Sequence, residues 1–188
     1  MLTLASASPR RLALLAQIGV VPDKVAPAAV DETAGRAELP RPYARRVAAA
    51  KADAAAVPGR FVLAADTVVA LGRRILPKAE DEDAVRDCLA LLGGRRHHVI
   101  TAVVVVAPDG QRSERVVDTA VVFGRLTPGQ IDNYAASGEG VGKAGGYAIQ
   151  GLAACFVRQL SGSYSGVVGL PLFETANLLR GRGYPIPG

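Results

Sequence analysis

One apolar run, residues 61–71, constrains the fold of this chain more than any other feature. All of its residues are apolar except Asp66 and Thr67, and such a run is typical of a strand in a hydrophobic core. A carboxylate in that setting costs several kcal/mol unless it is ion-paired, hydrogen-bonded or bound to a metal. Asp66 is therefore expected either beside a ligand at a strand end or in a buried hydrogen bond to a turn.

The rest of the chain alternates strand and helix patterns without an internal repeat. Apolar stretches predict strands, and amphipathic stretches bounded by Pro or Gly predict helices. Further strands are predicted at residues 2–5, 25–30, 98–107, 114–123 and 153–160. Helices are predicted at 9–18, 42–57, 80–92, 127–135 and 171–179, with loops at 138–151 and 161–166. We expect a single domain over residues 1–188, with an α/β fold built on a mixed sheet.

The charge of the chain favours an anionic ligand. Lys and Arg number 22 against 17 Asp and Glu, which gives a formal net charge of +5 and attracts anions. A composition rich in Ala, Arg and Gly is also typical of GC-rich codon usage, so the excess of Arg is weak evidence for nucleic acid. No secretory pattern and no apolar run of roughly 20 residues is present. We expect a soluble cytoplasmic protein, with Cys88 and Cys155 as buried free thiols.

A candidate anion site follows the first predicted strand. Ser8 and Pro9 fit the N-cap and first position of a helix, whose free N–H groups and dipole favour an anion. Arg10 and Arg11 lie in the first turn, where a cation is normally unfavourable unless an anion binds there. The hydroxyls of Ser6 and Ser8 would complete such a site. The alternative is an ordinary capped helix with solvated arginines.

Acidic residues and isolated lysines form a second candidate set. Asp31 or Glu32, together with Asp66, could supply the one or two carboxylates that a Mg²⁺ site uses beside substrate phosphates. In a chain that mostly uses Arg, the lysines Lys51, Lys78 and Lys143 indicate places that need a compact ammonium group, although chance is an equal explanation.

Three other patterns are weaker. The glycines at 140, 142 and 145 fit a dinucleotide-binding spacing but follow no predicted strand. Residues 138–144 have one residue too few between the glycines for a phosphate-binding loop, and Ala144 replaces its Ser or Thr. His97 and His98 are adjacent on a predicted strand and point to opposite faces, so they are poorly placed to bind one metal.

Five ordered stretches resemble the Maf family of nucleoside triphosphate pyrophosphatases, also called septum-formation-inhibitor-like proteins. These stretches are residues 4–11 (LASASPRR), 64–67 (AADT), 97–101 (HHVIT), 143–151 (KAGGYAIQG) and 162–171 (GSYSGVVGLP). The resemblance runs from about residue 3 to about residue 180. It implies an inosine-triphosphatase-like fold, in which helices flank an elongated mixed sheet and two lobes enclose a central cleft.

The resemblance also implies an activity and a set of site residues. The activity is the hydrolysis of a nucleoside triphosphate to a monophosphate and pyrophosphate by a metal-dependent cytoplasmic homodimer. Glu32 and Asp66 would bind Mg²⁺ or Mn²⁺, and Asp66 would be the base. Lys51 and Lys78 would stabilise charge during catalysis. Substrate binding would fall to Ser6, Ser8, Arg10, Arg11, Lys143 and Gln150, and Gln150 matches the branch that acts on dTTP and UTP.

The chain departs from the family pattern at a few positions. Gly142 stands where the family usually has Asp, Ala79 where it usually has Pro, and Ser165 and Gly166 where bulkier residues are common. These departures leave a non-catalytic nucleotide sensor in division control as the alternative function. A nucleic-acid-binding module is a third hypothesis, but it lacks the expected interleaved aromatic residues.

Overall fold

The structure, a computed structural model, describes residues 1–187 and confirms the mixed α/β fold. The strands are β1 (Leu2–Ala5), β2 (Lys24–Val25), β3 (Phe61–Leu71), β4 (Arg74–Leu76), β5 (Arg96–Val106), β6 (Arg112–Phe123) and β7 (Val157–Ser161). The helices are α1 (Pro9–Gln17), α2 (Pro40–Ala54), α3 (Glu82–Leu92), α4 (Pro128–Ala136), the 3₁₀ helix η1 (Leu152–Phe156), α5 (Tyr164–Val168) and α6 (Leu172–Gly181).

The sheet topology places the end of β1 next to the middle of β3. The strand order is β2-β1-β3-β5-β6-β7, and β4 pairs with β3 off this path. β1 is parallel to β2 and β3, while all other pairs are antiparallel. Ala5 is paired with Ala64, so the chain leaves β1 beside the position of Asp66. The loop after β1 and the start of α1 therefore lie against the acidic residue of the core strand.

Two hydrophobic clusters cover the two faces of the sheet. Side chains alternate between faces along a strand, so Leu63 and Ala65 belong to one cluster and Val62 and Ala64 to the other. The second cluster also contains one face of α2. Asp66 has the same parity as Ala64 and therefore faces α2, whereas Thr67 faces the other side.

Several predicted boundaries differ from the structure because tertiary contacts decide them. The predicted strand at 25–30 is only the short β2, and the short hairpin strand β4 was missed. The predicted strand at 153–160 begins as η1, whose buried Ala153 and Phe156 have the three-residue spacing of a 3₁₀ helix. The predicted loop at 161–166 runs into α5. Cys155 is exposed on η1, so the expectation of two buried thiols is wrong for it and right for Cys88.

A buried aromatic cluster attaches residues 138–151, the glycine-rich loop, to β5. The ring of His97 is edge-on to Phe123 at 4.9 Å and to Tyr147 at 5.5 Å. Its Nε2 is 2.8 Å from the Tyr147 hydroxyl, and burial lowers the pKa of His97 to about 4. His98 points to the opposite face, as expected, and contacts Asp118 at 2.6 Å.

Removing the Tyr147 hydroxyl should destabilise the fold. Tyr147→Phe leaves His97 Nε2 without its partner in a fully buried position, and we expect the free energy of unfolding to fall by about 1–3 kcal/mol. Urea denaturation measures it. Tyr184→Phe is the matched control, because its half-buried ring keeps the edge contact with Phe61. Equal effects of the two changes would contradict the role of the His97–Tyr147 bond.

Candidate active site

One cavity of about 400 Å³ opens where β1 ends, α1 begins and β3 passes. Every residue to which the family resemblance assigns a catalytic, substrate-binding or metal-binding role lines this cavity: Ser6, Ser8, Arg10, Arg11, Glu32, Lys51, Asp66, Lys78, Lys143 and Gln150. Asp31 does not line it, and its carboxylate instead accepts the backbone N–H of Thr33 at 2.8 Å. Of the two neighbouring acidic residues, Glu32 and not Asp31 therefore lines the cavity together with Asp66.

A chain of ion pairs crosses the cavity floor. Lys51 Nζ lies 2.7 Å from Asp66 Oδ1 and 2.7 Å from Glu32 Oε1. Lys78 Nζ lies 2.6 Å from the other Glu32 oxygen. Lys51 and Asp66 are buried, whereas the Lys78 side chain is 58% exposed. The buried ammonium group of Lys51 therefore joins the two carboxylates, and the exposed ammonium group of Lys78 pairs with Glu32 alone.

The two carboxylates differ in their proton affinity. Burial acts to raise the pKa of Glu32, but hydrogen bonds from Lys51 and Lys78 outweigh it and lower the pKa to about 2. Burial raises the pKa of Asp66 above its usual value, against the opposing charges of Lys51 and Arg11. Glu32 therefore stays ionised, and Asp66 is the better proton acceptor near neutral pH.

Glu32 lies on an irregular segment, and α2 holds that segment in place. The Tyr43 hydroxyl donates to the Glu32 carbonyl oxygen at 2.7 Å. Arg46 donates to the Thr33 carbonyl at 3.0 Å, and its guanidinium lies over the Tyr43 ring. Tyr43 and Lys51 are eight residues apart on the buried side of α2. Sequence analysis missed this tether, because nothing local connects a helical tyrosine to a carbonyl eleven residues before it.

Ser6, Ser8 and Pro9 shape the start of α1 as predicted. Ser8 is the N-cap with an extended backbone, Pro9 follows it, and no side chain caps the helix. The Ser8 N–H instead donates to Ser6 Oγ at 3.2 Å. The uncapped end of the helix leaves backbone N–H groups and the positive end of the dipole for an anion.

Arg11 is not a solvated arginine, because only 8% of it is exposed. Its Nε donates to the Gly169 carbonyl at 2.8 Å, its Nη1 to Ser6 Oγ at 2.9 Å and its Nη2 to Thr67 Oγ1 at 3.3 Å. Burial lowers its pKa, and the charge of Asp66 opposes that shift. Arg11 therefore links α1, β3 and the end of α5 while it lines the cavity.

Arg10 and Lys143 make fewer hydrogen bonds within the protein than Arg11 does. Arg10 Nε donates to the Val168 carbonyl at 3.4 Å, and Lys143 Nζ donates to the Val141 carbonyl at 3.1 Å. Burial, and then the charge of Arg10, lower the pKa of Lys143. A bound anion would relieve this repulsion between two neighbouring cations.

Backbone pairing joins Lys78 to the glycine-rich loop. Lys78 and Ala144 form a β-bridge. The Ala79 N–H donates to the Lys143 carbonyl at 3.0 Å, and the Gly142 N–H donates to the Ala79 carbonyl at 2.6 Å. Gly142 has a φ of +73°, which favours glycine. The two departures from the family pattern, at 79 and 142, thus contact each other directly.

The donor set of the cavity fits a hard divalent cation. Glu32 and Asp66 offer carboxylate oxygens on either side of one ammonium nitrogen, and Mg²⁺ or Mn²⁺ prefers such oxygens together with phosphates and water. Within residues 1–187, no group of three or more His, Cys, Asp or Glu is arranged to hold a metal. Any metal here would therefore take further ligands from a substrate or from water.

Comparisons with known proteins place this chain among its relatives. The dTTP/UTP pyrophosphatase of Paramagnetospirillum magneticum is 63% identical over 185 residues, with 97% of each chain covered. That of Caulobacter vibrioides is 61% identical over 185 residues, covering 97% of this chain and 96% of the relative. A solved nucleoside-triphosphatase/dITP/XTP pyrophosphatase from Mycobacterium abscessus overlaps 66% of this chain and 73% of its own, with 18% identity and a TM-score of 0.43.

Among residues 1–187, no helix is long and apolar enough to cross a membrane. The family model described as "Maf-like protein" matches residues 1–182. With that match and relatives of this similarity, the chain belongs to the family of Maf-like proteins.

Proposed function

We propose that the protein is a nucleoside triphosphate pyrophosphatase that hydrolyses dTTP and UTP, and with them modified pyrimidine triphosphates, to the monophosphate and pyrophosphate. The relatives at about 60% identity are named dTTP/UTP pyrophosphatases. The observation that carries the proposal is the cavity itself, which gathers two carboxylates with the lysines and arginines around them. This arrangement suits a triphosphate, whose transfer chemistry depends mainly on positioning and on charge stabilisation.

Asp66 acts as the proton acceptor in this proposal. A water oxygen bonds to a phosphorus atom beside the bridge between the α and β phosphates, and the bond from that phosphorus to the bridging oxygen breaks. The proton of the water passes to Asp66, whose pKa is raised by burial. The Lys51 ammonium, 2.7 Å from Asp66, keeps the carboxylate ionised before the reaction.

The cations bind and neutralise the phosphates. Lys78, which is largely exposed, can turn from Glu32 to a phosphate, and Arg10 and Lys143 also line the cavity. Ser6 and Ser8 contribute hydroxyls at the start of α1. Fixed charges of this kind stabilise the transition state because they need no rearrangement when the bond breaks.

A divalent metal, Mg²⁺ or Mn²⁺, completes the proposal. Glu32 and Asp66 would hold it, and when bound it would neutralise phosphate oxygens and lower the pKa of a water molecule. Lys51 Nζ contacts both carboxylates, so Glu32 and Asp66 would share their oxygens between this ammonium group and the metal.

Gln150 is the proposed reader of the base. It lines the cavity near the end of the glycine-rich loop, and its amide offers one acceptor and two donors. These groups match the carbonyl and N–H edge that thymine and uracil share. The resemblance to the dTTP/UTP branch at this residue supports the same assignment.

Domain organisation, location and oligomeric state are properties of the whole chain. We propose one domain over residues 1–188, supported by the family match over residues 1–182. A cytoplasmic location and a homodimer are proposed as what the family resemblance implies. Gly188 lies outside the described residues. The non-catalytic sensor gains no support, because Gly142 and Ala79 leave the carboxylates and cations of the cavity in place.

The purified protein with Mg²⁺ or Mn²⁺ should release pyrophosphate from dTTP and UTP faster than from ATP or GTP. Pyrophosphate and orthophosphate are assayed separately, so that cleavage at the terminal phosphate is recognised. Release of orthophosphate alone, or no turnover of any canonical or modified nucleotide, would overturn the proposal. Tight nucleotide binding without turnover would support the sensor instead.

Asp66→Asn should lower kcat by about 10²–10⁴-fold, because the amide cannot accept the proton of the attacking water. Steady-state pyrophosphate release measures the loss, and circular dichroism checks the fold. The matched control is Asp53→Asn on α2, which removes an exposed carboxylate paired with Arg112 outside the cavity. A variant at Asp66 with near-normal kcat would remove this residue from the role of base.

Tyr43→Phe should raise KM for dTTP about three- to tenfold while kcat changes less. The variant keeps the Glu32 carboxylate but loses the hydroxyl that holds its backbone, a bond worth about 1 kcal/mol. Steady-state kinetics at several Mg²⁺ concentrations test this, and the requirement for Mg²⁺ should rise as well. With Tyr184→Phe as control, equal kinetics for the two variants would show that the tether does not matter.

A further inference from the structure

A continuous line of hydrogen bonds begins at the cavity wall with Arg11 and Thr67 and runs along the face of β3 opposite Asp66. Arg11 Nη2 contacts Thr67 Oγ1 at 3.3 Å. Thr67 Oγ1 lies 2.9 Å from Thr101 Oγ1, and Thr101 Oγ1 donates to the Gly166 carbonyl at 2.8 Å. Only 1% of Thr101 is exposed, so water does not compete for its bond to the Gly166 carbonyl.

The chemistry of the groups fixes the direction of this line. A carbonyl oxygen only accepts, so Thr101 donates its single hydroxyl proton to the Gly166 carbonyl. Thr67 must then donate to Thr101, since Thr101 has no second proton. Arg11 only donates, and Thr67 has a lone pair free for it. Each hydroxyl therefore has one orientation, and the loss of Thr101 would remove the acceptor that orients Thr67.

The same helix turn that Thr101 anchors also holds both arginines. Gly166 lies within α5, and the two carbonyls at the end of α5 accept from the arginines: Val168 from Arg10 Nε at 3.4 Å and Gly169 from Arg11 Nε at 2.8 Å. These carbonyls lie at a helix C-terminus, where they lack partners within the helix. The position of α5 therefore sets where the two guanidinium groups lie.

We propose that Thr101 is a positioning residue for phosphate binding. Its hydroxyl anchors α5 to β5 and orients Thr67, and through these two contacts it fixes Arg10 and Arg11 at the cavity wall. The inference rests on the proposed function, because it takes the arginines as ligands of the substrate phosphates. It assigns Thr101 no contact with substrate.

Two substitutions test this role, and each removes one group from the threonine side chain, either the hydroxyl or the methyl group. Thr101→Val keeps the shape of the side chain and removes the hydroxyl, while Thr101→Ser keeps the hydroxyl. For Thr101→Val we expect KM for dTTP and Kd for inorganic pyrophosphate, measured by calorimetry, to rise about tenfold, with kcat within about threefold of wild type. Thr101→Ser should restore both constants to within about threefold.

The control is Thr175→Val on α6. Thr175 is fully buried, and its hydroxyl donates to the Pro171 carbonyl at 2.7 Å, so the chemical change and the burial match those at Thr101. This variant should keep the KM and Kd of wild type. An equal rise in both constants for Thr175→Val would reduce the Thr101 effect to general destabilisation and overturn the proposal.

The outcomes separate this proposal from the proposed function. Wild-type protein that releases no pyrophosphate would overturn the function itself. An active wild type with unchanged constants for Thr101→Val would overturn only the positioning role, as would a Thr101→Ser variant as impaired as Thr101→Val. If Thr101→Val does not fold, Thr101→Cys takes its place. Its thiol is a weaker donor, so intermediate constants support the proposal and wild-type constants overturn it.

Discussion

The contact between Lys51 and Asp66 is the interaction on which the site depends. Two opposite charges at 2.7 Å in the core lose much of their mutual attraction to the cost of leaving water, and an apolar pair of the same size is often as stable. The pair is thus better explained by the chemistry of the cleft than by stability. The apolar residues of α2 pack against this face of β3, and that packing places Lys51 beside Asp66.

The fold assembles the cleft from segments that are far apart in the sequence. β1 is short and parallel to β3, so it delivers the start of α1 to the middle of the core strand. α2 brings Lys51 directly and brings Glu32 through Tyr43. The β-bridge between Lys78 and Ala144 brings in the glycine-rich loop. Each segment contributes one or two charged groups, and only the tertiary structure makes them a site.

Local signals predicted much of this structure, and tertiary contacts explain what they missed. The apolar run at 61–71 and the Ser-Pro start of α1 carry their meaning within a few residues, and both match the structure. The expected position of Asp66 was wrong: it lies in the middle of β3, neither at a strand end nor bonded to a turn, and its partner is Lys51 of a distant helix. The tether from Tyr43 to Glu32 and the line from Arg11 to Gly166 join residues far apart in the chain, so no pattern reveals them. Arg11 illustrates the limit: its position was predicted, but not its burial or its contact with Gly169.

The paired departures at Ala79 and Gly142 bear on how such chains diverge. Ala79 donates its N–H to the Lys143 carbonyl and accepts one from Gly142. Proline, which the family pattern usually has at position 79, lacks that N–H. A chain with proline at position 79 loses the bond to the Lys143 carbonyl, while the carbonyl of residue 79 can still accept from residue 142. The two positions are therefore coupled through the backbone, and a substitution at one changes the contacts that are open to the other.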